Sequence, residues 1–436
     1  MMDPAGAAGP AWLAALRDRV NIKCLHCGYC LTVCPSYQKT LEESHSPRGR
    51  IALLNEVSAG NLPFEEVCEF FEVCLGCRAC EAVCPKGLEY GEILRGTREA
   101  MRRVAPPRGW RRAAEAILMA SVRSPTARAA ARWGAWFYRA TGIAWLVERS
   151  GLIGKVPLQV ALAHAMVPFI RAPFGRKLPA RRRPIGPPKG RAALFRGCIQ
   201  DAFFRQTNAA TIELLAQAGY EVIVPAGQTC CGALPDHAGD PEAAAVLARR
   251  NIAAFDRSGA ELIVTNSGTC GATLKEYSAL LRTDLAWASR ATAFQGKVRD
   301  LYELLEGEAF TPRGGLPTNT VVTYSDSCHL ANVQKVREQP RALIRRIPGV
   351  RYVELEGIQF CCGFAGTFCM SHPDASLRLL EQKVKAIEAS GASIVATGHP
   401  GCFLQLQAGL HRAGLPDRIR VVQLADLLWD AAQPSA

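Results

Sequence analysis

Residues 24–35 read CLHCGYCLTVCP, and residues 74–85 read CLGCRACEAVCP. Both stretches follow the pattern C-x2-C-x2-C-x3-C-P. This spacing is the ligand pattern of a [4Fe–4S] cluster, and two copies predict two such clusters in the chain. A chain with two neighbouring clusters is suited to moving electrons.

The ligands of the two clusters are expected to cross between the two stretches. Three cysteines come from one tight loop, and the x3 spacing carries the fourth past its own cluster to the other one. The predicted sets are Cys24, Cys27, Cys30 and Cys84 for cluster 1, and Cys74, Cys77, Cys80 and Cys34 for cluster 2. Zinc is the alternative for paired C-x2-C motifs, but a zinc site needs only four ligands. Two runs of four that both end in Cys-Pro therefore favour clusters.

The composition is that of a large cofactor protein. The chain has 436 residues, 49% of them hydrophobic and 21% charged, so it can fill several cores. Its 18 cysteines are grouped in metal spacing, which indicates a cytosolic cofactor protein more than a disulfide framework. The N-terminus lacks the pattern of a signal peptide, and the uncharged stretch 156–170 is too short for a transmembrane helix. We therefore expect a cytoplasmic protein, with contact to the inner face of the membrane as one option.

Positive charge is concentrated in the middle of the chain. The segment from Arg95 to Arg191 carries a net charge of +18, whereas the whole chain carries +13. Residues 111–149 predict an amphipathic helix whose apolar anchors are Trp133, Trp136, Phe137, Tyr138 and Trp145. Such a helix fits an anionic membrane face or an acidic partner, and a solvated surface with core-facing tryptophans is the alternative. No stacking platform or DNA-reading motif accompanies the charge, so no nucleic-acid partner is expected.

The C-terminal part contains an internal repeat. The first copy has Cys198, Cys230-Cys231-Gly232 and Cys270, and the second has Cys328, Cys361-Cys362-Gly363 and Cys402. Each copy predicts three buried strands, at 192–196, 221–224 and 261–265, then at 320–324, 351–355 and 393–397. Helical patterns such as 241–255 and 375–389 lie between them. This alternation predicts a parallel α/β layer in each copy, with the cysteines at the carboxyl ends of strands.

Two adjacent cysteines followed by glycine indicate a metal centre. Neighbouring sulfurs pair with each other only under strain, but both can face one metal, and glycine lets the backbone approach it. The first candidate site is Cys198, Cys230, Cys231 and Cys270, and the second is Cys328, Cys361, Cys362 and Cys402. An iron–sulfur cluster in at least one copy is favoured. Structural zinc, or one copy without metal, are the alternatives.

The predicted fold class is multidomain α+β, a helical two-cluster ferredoxin-like domain followed by a tandem repeat of α/β domains. The predicted boundaries are 1–100 for the cluster domain, 101–190 for a basic helical region with a linker at 176–189, and 191–315 and 316–436 for the repeats. Ser46 as N-cap and Pro47 as the first helical residue predict a helix between the two cluster motifs.

The repeat resembles the cysteine-rich CCG domain of the heterodisulfide reductase family. In that family the domain holds iron–sulfur clusters, including noncubane ones. The fullest motif of that family ends in C-x-x-C, whereas this chain has Thr273 and Gln405 at the last position. The missing fifth thiolates count against a noncubane cluster and against a thiol–disulfide reductase, which is one alternative function.

Over nearly its full length the chain resembles the iron–sulfur subunit of glycolate oxidase (glycolate dehydrogenase). The residues that carry this likeness are the two cluster motifs, Ser46-Pro47-Arg48-Gly49-Arg50-Ile51 and Gly398-His-Pro-Gly401-Cys402. The resemblance implies FAD-containing partner subunits that oxidise a 2-hydroxy acid, with this subunit passing the electrons to an acceptor such as quinone. Related subunits serve L-lactate and anaerobic glycerol-3-phosphate oxidation. The chain has no G-x-G-x-x-G after a strand and no Walker A motif, which fits a flavin held by another chain.

Several further residues have open roles. Cys68 and Cys369 lie outside the motifs, and a buried thiol is favoured for both, with a redox role kept open for Cys369. His26 is expected to face solvent. His329 and His399 are either hydrogen-bond donors near the metal ligands or ordinary polar residues. Arg48 and Arg50 either place positive charge near the clusters or simply start a helix. A scaffold with purely structural metals is the remaining, disfavoured function.

Overall fold

The computed structural model describes residues 24–106, 109–150, 156, 160–161, 164, 177–356 and 361–433. Most of the uncharged stretch 156–170 and the first 23 residues lie outside the described residues. Within the described part, a helical N-terminal domain and a basic helical region precede two α/β domains, each built on its own sheet. The predicted fold class is thereby confirmed.

The N-terminal domain consists of short helices around the two cysteine motifs. Its α-helices are Tyr29–Thr32, Pro35–Thr40, Pro47–Ser58, Phe64–Glu72, Ala79–Ala82 and Tyr90–Val104, with a 3-10 turn at Glu43–His45. The helix predicted after Ser46 is confirmed, because the Ser46 side chain accepts a hydrogen bond from the Gly49 N–H at 2.9 Å. Such a cap contributes about 1 kcal/mol to helix stability. Ile51, Leu54 and Phe71 fill the domain core between these helices.

Within the described residues, the stretch 109–149 of the basic region forms three helices instead of one. Their bounds are Gly109–Arg123, Pro125–Ala140 and Ile143–Arg149. The first break has Ser124 as N-cap and Pro125 at the first helical position, and the second has Gly142 at a φ of +76°. Trp133, Phe137 and Trp145 are 47%, 58% and 58% exposed, so the interpretation of these aromatic residues as core-facing is wrong. None of the described helices combines the length and the apolar character that a membrane span requires.

The first α/β domain has a five-stranded sheet in the order β1-β3-β2-β4-β5. Its strands are β1 (Arg181–Arg182), β2 (Gly190–Leu194), β3 (Tyr220–Ile223), β4 (Leu262–Thr265) and β5 (Val298–Asp300). Its helices are Cys198–Phe203, Arg205–Gln217, Ala233–His237, Pro241–Asp256, Gly268–Leu274, Tyr277–Leu280, Ala288–Lys297 and Leu301–Gly307. β1 lies within the segment expected to be a linker and pairs antiparallel with β3. That segment therefore contributes the edge of the first sheet.

The second α/β domain repeats this topology, and its described residues contain no antiparallel edge strand. Its strands are β6 (Thr320–Ser325), β7 (Val350–Val353), β8 (Ile394–Thr397) and β9 (Arg420–Gln423), all parallel in the order β7-β6-β8-β9. The order β3-β2-β4-β5 in the first domain is the same, so the repeat read from the cysteines is a structural repeat. Its helices are Glu338–Arg345, Phe368–Ser371, Pro373–Ala389, Pro400–Arg412 and Leu424–Ala432, with a π-helix at His329–Val333.

The two α/β domains share one hydrophobic core. Leu194, Ile212 and Leu214 of the first domain belong to the same buried cluster as Val322 and Leu428 of the second. The Gly268 N–H donates to the Gly398 carbonyl at 3.0 Å, directly between the carboxyl ends of β4 and β8. The cysteine-bearing ends of both sheets therefore face each other across this joint.

Candidate metal centres

The two cluster motifs form two loops with the same backbone conformation. In each loop the second and fourth residues after the first cysteine have left-handed backbone, with φ of +50° at His26, +88° at Gly28, +62° at Gly76 and +58° at Arg78. Each loop then enters a four-residue helix, Tyr29–Thr32 or Ala79–Ala82. Alternating left-handed residues turn the chain tightly, and such turns direct successive N–H groups inward, where anionic centres bind. His26 is exposed, as expected.

The first loop faces the fourth cysteine of the other motif. Cys24, Cys27, Cys30 and Cys84 line one pocket, in which Cys80 also takes part. Arg48 lies beside it, donates to the His26 carbonyl at 2.8 Å and forms an ion pair with Glu43 at 2.6 Å. Burial raises the pKa of the Cys30 thiol, and the Arg48 contact partly offsets this. The structure thus brings together the four cysteines predicted for cluster 1.

The cysteines predicted for cluster 2 also lie near one another. Cys34 and Cys74 are buried, and burial together with the charges of Cys77, Cys74 and Cys34 raises the pKa of Cys80 well above its usual range. The reverse holds at Cys74, where Arg50 and Arg98 outweigh burial and lower the pKa. Neighbouring thiols that disfavour the ionisation of Cys77 and Cys80 fit a cationic iron centre, which removes this repulsion.

Arg50 is buried next to cluster 2, with 1% of its surface exposed. Its Nε donates to the Phe70 carbonyl at 2.6 Å and its Nη2 to the Ser36 hydroxyl at 3.0 Å. Burial disfavours its charge, but Tyr90, Cys74 and Cys34 raise the pKa of Arg50, so it stays a cation. Between the two roles left open above, Arg50 therefore places positive charge beside the predicted ligands.

The cysteines of the first CCG domain form a chain of sulfur contacts. The Cys198 Sγ donates to the Cys230 Sγ at 3.4 Å, and Cys231 contacts both Cys230 and Cys270. The Gly232 N–H donates to the Cys230 Sγ at 3.5 Å. Hydrogen bonds from Cys198 and Cys231 lower the pKa of Cys230. The four predicted residues are thus together at the carboxyl ends of β2 and β4.

The second CCG domain has the same chain of contacts in the same order. Cys328 contacts Cys361, which contacts Cys362, and the Cys362 Sγ donates to the Cys402 Sγ at 3.3 Å. Gly363 has a φ of +88°, and a Cβ there would lie 2.5 Å from the Ser376 carbonyl oxygen. Only glycine fits this position, because the backbone is left-handed and the following helix is in contact. The glycine of the motif therefore serves helix packing as well as the sulfur.

Both CCG sets line one cavity of about 360 Å³ between the two domains. The lining is largely apolar and includes Leu75 of the N-terminal domain and Phe364 of the second repeat. His399 bridges the domains, because its Nδ1 lies 3.0 Å from the Ser267 hydroxyl, and burial lowers the pKa of His399 to about 3. His329 has its Nδ1 3.7 Å from the Cys328 Sγ and stacks on His237.

The N-terminal domain meets the second CCG set directly. Leu75 and Cys77 pack in one apolar cluster with Cys361, Cys362 and Cys402. Burial is the main cause that raises the pKa of the Cys77 thiol, and the charge of Cys361 adds to it. The domain also docks on the first repeat, where Arg95 pairs with Asp236 at 3.0 Å and with Glu276 at 3.2 Å.

The two remaining cysteines are buried, and the residues at the missing fifth positions make other hydrogen bonds. Cys68 is buried and donates to the Phe64 carbonyl at 3.3 Å, and burial raises its pKa to about 11. Cys369 is buried beside the second set, and burial raises its pKa to about 12. At the fifth-ligand positions, Thr273 donates to the Thr269 carbonyl at 3.0 Å, and the buried Gln405 donates to Ser376 at 2.9 Å.

Two buried cations near the second set were missed in the sequence. Hydrogen bonds with Cys328 and Cys362 are the main causes that lower the pKa of Cys361 and Cys402, and the charge of Lys383 adds to them. Lys383 is 1% exposed, although its position in the helix Pro373–Ala389 resembles an ordinary surface lysine. The residue at the same helical position in the first repeat is Asn251, which donates to the Cys230 carbonyl at 2.9 Å. Arg341 is 5% exposed and holds Asp326, two residues before Cys328, through two hydrogen bonds of 3.0 and 2.9 Å.

The donor sets fit iron–sulfur chemistry. All sixteen predicted ligands are thiols, which bind soft metals and iron–sulfur clusters. Among the described residues, no three His, Cys, Asp or Glu side chains converge closely enough to hold a single metal ion. The CCG sulfurs are instead joined pairwise along each set. When bound, a cluster would accept and release single electrons.

Comparison with known proteins identifies the domains. The family model described as "4Fe-4S dicluster domain" matches residues 21–88, and the one described as "Cysteine-rich domain" matches residues 192–275 and 322–407. These matches contain both cluster motifs and both CCG sets.

Similarity to curated relatives extends over nearly the whole chain. Over 433 residues the chain is 39% identical to the "Probable glycolate oxidase iron-sulfur subunit" of Bacillus subtilis (strain 168), covering 94% of each chain. It is 30% identical over 416 residues to the "Glycolate oxidase iron-sulfur subunit" of Escherichia coli (strain K12), covering 94% of this chain and 95% of the relative. "Lactate utilization protein A" of Exiguobacterium sp. (strain ATCC BAA-1283 / AT1b) is 33% identical over 236 residues, 54% of this chain and 96% of that protein.

Proposed function

The chain belongs to the family of glycolate oxidase iron–sulfur subunits, and from this premise we propose that it is the electron-transfer subunit of a glycolate oxidase (dehydrogenase) complex. An FAD-containing partner subunit oxidises glycolate, and this subunit conducts the electrons toward an acceptor such as quinone. The observation that carries the proposal is the continuity of the cysteine sets. Cys77 of one motif packs against Cys361, and the two CCG sets line one cavity.

We assign the ligands as the spacing predicts. Cluster 1 is held by Cys24, Cys27, Cys30 and Cys84, and cluster 2 by Cys34, Cys74, Cys77 and Cys80. The two CCG sets each hold a further iron–sulfur centre. Support for the CCG assignment comes from the matching sulfur contacts of the two repeats and from their burial beside Cys77.

The contacts favour one direction through the chain. The pocket of cluster 1 contains the exposed Cys27 and lies on the surface, where a partner subunit can approach. Cluster 2 is the set in contact with the second CCG set, and the first CCG set follows across the shared cavity. We therefore propose that electrons arrive at cluster 1 and pass onward to the cavity between the repeats.

The basic region supports docking on an anionic membrane surface on the cytoplasmic side. Its exposed apolar residues include Trp145 and Leu146, at 58% and 59%, on helices of a segment with a net charge of +18. Aromatic side chains beside arginines suit the interface of an anionic bilayer. Sedimentation with vesicles is expected to carry the complex down with anionic lipid and not with neutral lipid at low salt. Equal sedimentation with both would reject the role of the basic charge, and sedimentation with neither would reject the membrane contact and favour an acidic protein partner.

Anaerobic co-purification with the partner subunits tests the main function. EPR spectra recorded after addition of glycolate are expected to show reduced clusters, whereas L-lactate and glycerol-3-phosphate are expected to act weakly. If only L-lactate reduces the clusters, the chain serves lactate oxidation instead. This is the second candidate function because a lactate utilization protein is among the relatives of the chain. If none of the three compounds reduces the clusters, the hydroxy-acid function is wrong.

Metal analysis tests the CCG centres in the full chain. We expect the Cys230→Ala and Cys361→Ala variants to lose iron relative to the wild type while keeping the EPR signals of clusters 1 and 2. Cys68→Ala is the control, because it removes a buried thiol outside every set. Loss of zinc in place of iron would show that the CCG centres are structural zinc.

A further inference from the structure

A second cavity lies beside the one that contains the CCG sets. It has a volume of about 630 Å³ and is open to the surface. Its walls come from the helix Tyr90–Val104, from the helix Gly109–Arg123 and from the loop and short helix at 365–372. This volume lies in the range of small-molecule binding sites. None of the predicted metal ligands lines it.

The cavity adjoins the main chain of a predicted cluster ligand. Phe71, which lines it, accepts a hydrogen bond from the Cys74 N–H through its carbonyl at 3.2 Å. Arg98, also in the lining, donates from Nη2 to the Cys74 carbonyl at 2.8 Å. Only one residue, Phe71 or Arg98, would therefore separate a molecule in this cavity from the main chain of Cys74, a predicted ligand of cluster 2.

The cavity also adjoins the CCG sets. Four residues line both cavities: Leu118, His237, Ala365 and Met370. His237 stacks on His329 with ring centroids 5.3 Å apart, and His329 follows Cys328 in the chain. The cavity is thus placed between the N-terminal and C-terminal sulfur sets, where an electron acceptor could take electrons from either.

The lining combines flat apolar surfaces with hydrogen-bond donors. Phe71, Met101 and Phe368 provide the apolar part, and the Phe368 ring stacks on His372 at 4.9 Å between centroids. Arg98 and Arg102 bring guanidinium groups to the same space, where Arg102 also pairs with Glu115 and donates to the Ala238 carbonyl at 3.1 Å. A flat ring with carbonyl oxygens at its edges matches this arrangement, because the ring packs on the apolar surfaces and the oxygens accept hydrogen bonds.

The wall formed by the basic region connects the cavity to an exposed apolar surface. Glu115 and Leu118 of the helix Gly109–Arg123 line the cavity, while Ile117 of the same turn is 72% exposed. The helices that follow carry the exposed aromatic residues described above. A ligand dissolved in the membrane would reach the cavity along this helix.

We propose that this cavity binds and reduces a lipid-soluble quinone, which deepens the function proposed above and rests on it. Reduction of one quinone consumes the two electrons released by oxidation of one hydroxy acid, together with two protons from water. Each carbonyl oxygen of the ring gains one proton, two O–H bonds form, and no bond forms to the protein. The quinol then leaves by the same opening.

The test uses the full complex and a benzoquinone with a ten-carbon side chain. Thr367→Trp places a large ring in the cavity from a residue that lines it and does not line the cavity of the CCG sets. We expect the KM for this quinone to rise roughly tenfold or more, equivalent to about 1.4 kcal/mol of binding. Cluster EPR signals after dithionite reduction check that the variant is loaded. Thr283→Trp, at an exposed turn, is the matched control and is expected to leave the KM unchanged.

Photolabelling provides a second readout that needs no variant. An azido derivative of the same quinone is expected to label the wild-type complex in the segments that line the cavity, which are 71–72, 98–106, 115–118, 237–238 and 365–372. An unchanged KM in Thr367→Trp, or labelling confined to other segments, would overturn the proposal. If Thr367→Trp loses its clusters, the labelling result alone decides.

Failure of the cavity and failure of the parent function are distinguishable. If the hydroxy acids leave the clusters oxidised, but the dithionite-reduced complex still reduces quinone in a way that Thr367→Trp impairs, the cavity stands and the substrate assignment fails. If glycolate reduces the clusters normally and Thr367→Trp leaves quinone reduction unchanged, the cavity assignment is wrong and the proposed function is retained.

Discussion

The side-chain amide of Asn332 donates a hydrogen bond of 2.9 Å to the carbonyl oxygen of Cys77. Asn332 lies in the π-helix His329–Val333, directly after Cys328, whereas Cys77 belongs to the second cluster motif. The Arg337 Nη2 donates to the Oδ1 of Asn332 at 3.1 Å and fixes the orientation of this side-chain amide. One side chain therefore connects the main chain of a predicted cluster 2 ligand to the segment that carries a predicted CCG ligand.

Replacing Asn332 tests whether this connection matters for electron transfer. Asn332→Leu leaves the Cys77 carbonyl without its donor, which costs about 1–3 kcal/mol for a buried acceptor. We expect the temperature at which the visible cluster absorption bleaches to fall, and the CCG centre to be reduced more slowly in freeze-quench EPR. Asn61→Leu, which removes an exposed bond to Glu56, is the control. Wild-type rates in Asn332→Leu would mean that the contact has no role in transfer.

The crossed ligand assignment can be tested by which variants lose the same signal. Because Cys34 lies beside Cys74 and Cys77, we expect Cys34→Ala and Cys77→Ala to abolish one and the same EPR signal. Cys84→Ala and Cys27→Ala are expected to abolish the other, since both residues line the pocket of cluster 1. If Cys34→Ala and Cys27→Ala abolish the same EPR signal, the fourth cysteine of each motif does not bind the cluster of the other motif.

Arg50 is expected to raise the reduction potential of cluster 2. A buried cation beside Cys34 and Cys74 stabilises the reduced, more negative cluster. Arg50→Met should lower the potential by at least about 59 mV, the equivalent of tenfold for a one-electron couple. EPR-monitored redox titration measures this, with Arg50→Lys as the variant that keeps the charge. A shift of equal size in both N-terminal clusters would contradict a local effect.

Much of this arrangement follows from the sequence because spacing encodes local geometry. The C-x2-C-x2-C spacing and the Ser46-Pro47 helix start describe contacts a few residues apart. The apolar runs of the sequence predict the three main strands of each repeat. By contrast, β5 and β9 are short strands at sheet edges, without a distinctive pattern. The burial of Lys383 depends on which face of a helix meets the sulfurs, and this is decided by tertiary packing.

The two CCG centres are expected to differ because of Lys383. The first set has the neutral Asn251 at the equivalent helical position. In the second set the hydrogen bonds with Cys328 and Cys362 lower the pKa of Cys361 and Cys402, and the charge of Lys383 adds to this effect. A cation that favours thiolate also favours a reduced cluster, so the second centre should have the higher potential. Lys383→Met is expected to lower that potential and leave the first centre unchanged in a redox titration. An exposed lysine, Lys385→Met, serves as control. Equal potentials in wild type and Lys383→Met would disprove the difference.

Asp300 makes the stability of the first α/β domain depend on pH. It caps the helix Leu301–Gly307 by accepting the Tyr302 N–H at 2.9 Å, yet it is fully buried. Burial raises the pKa of Asp300 to about 7, and the Tyr302 N–H and Lys275 offset this only in part. In the unfolded chain the pKa of an aspartate is about 4. Between these values the folded state holds a proton that the unfolded state has released.

Stability from this group is therefore fully present below about pH 4, and it declines as the pH rises to about 7. Asp300→Asn keeps a good N-cap residue and cannot ionise, so it should gain stability relative to wild type as the pH rises over this range. The gain should level off above pH 7, at no more than about 4 kcal/mol. Thermal unfolding of both proteins at matched pH under anaerobic conditions measures the difference. Asp374→Asn, at the exposed start of another helix, is the control for replacing an aspartate by an asparagine. A pH-independent difference between Asp300→Asn and wild type would mean that Asp300 stays ionised in the folded protein.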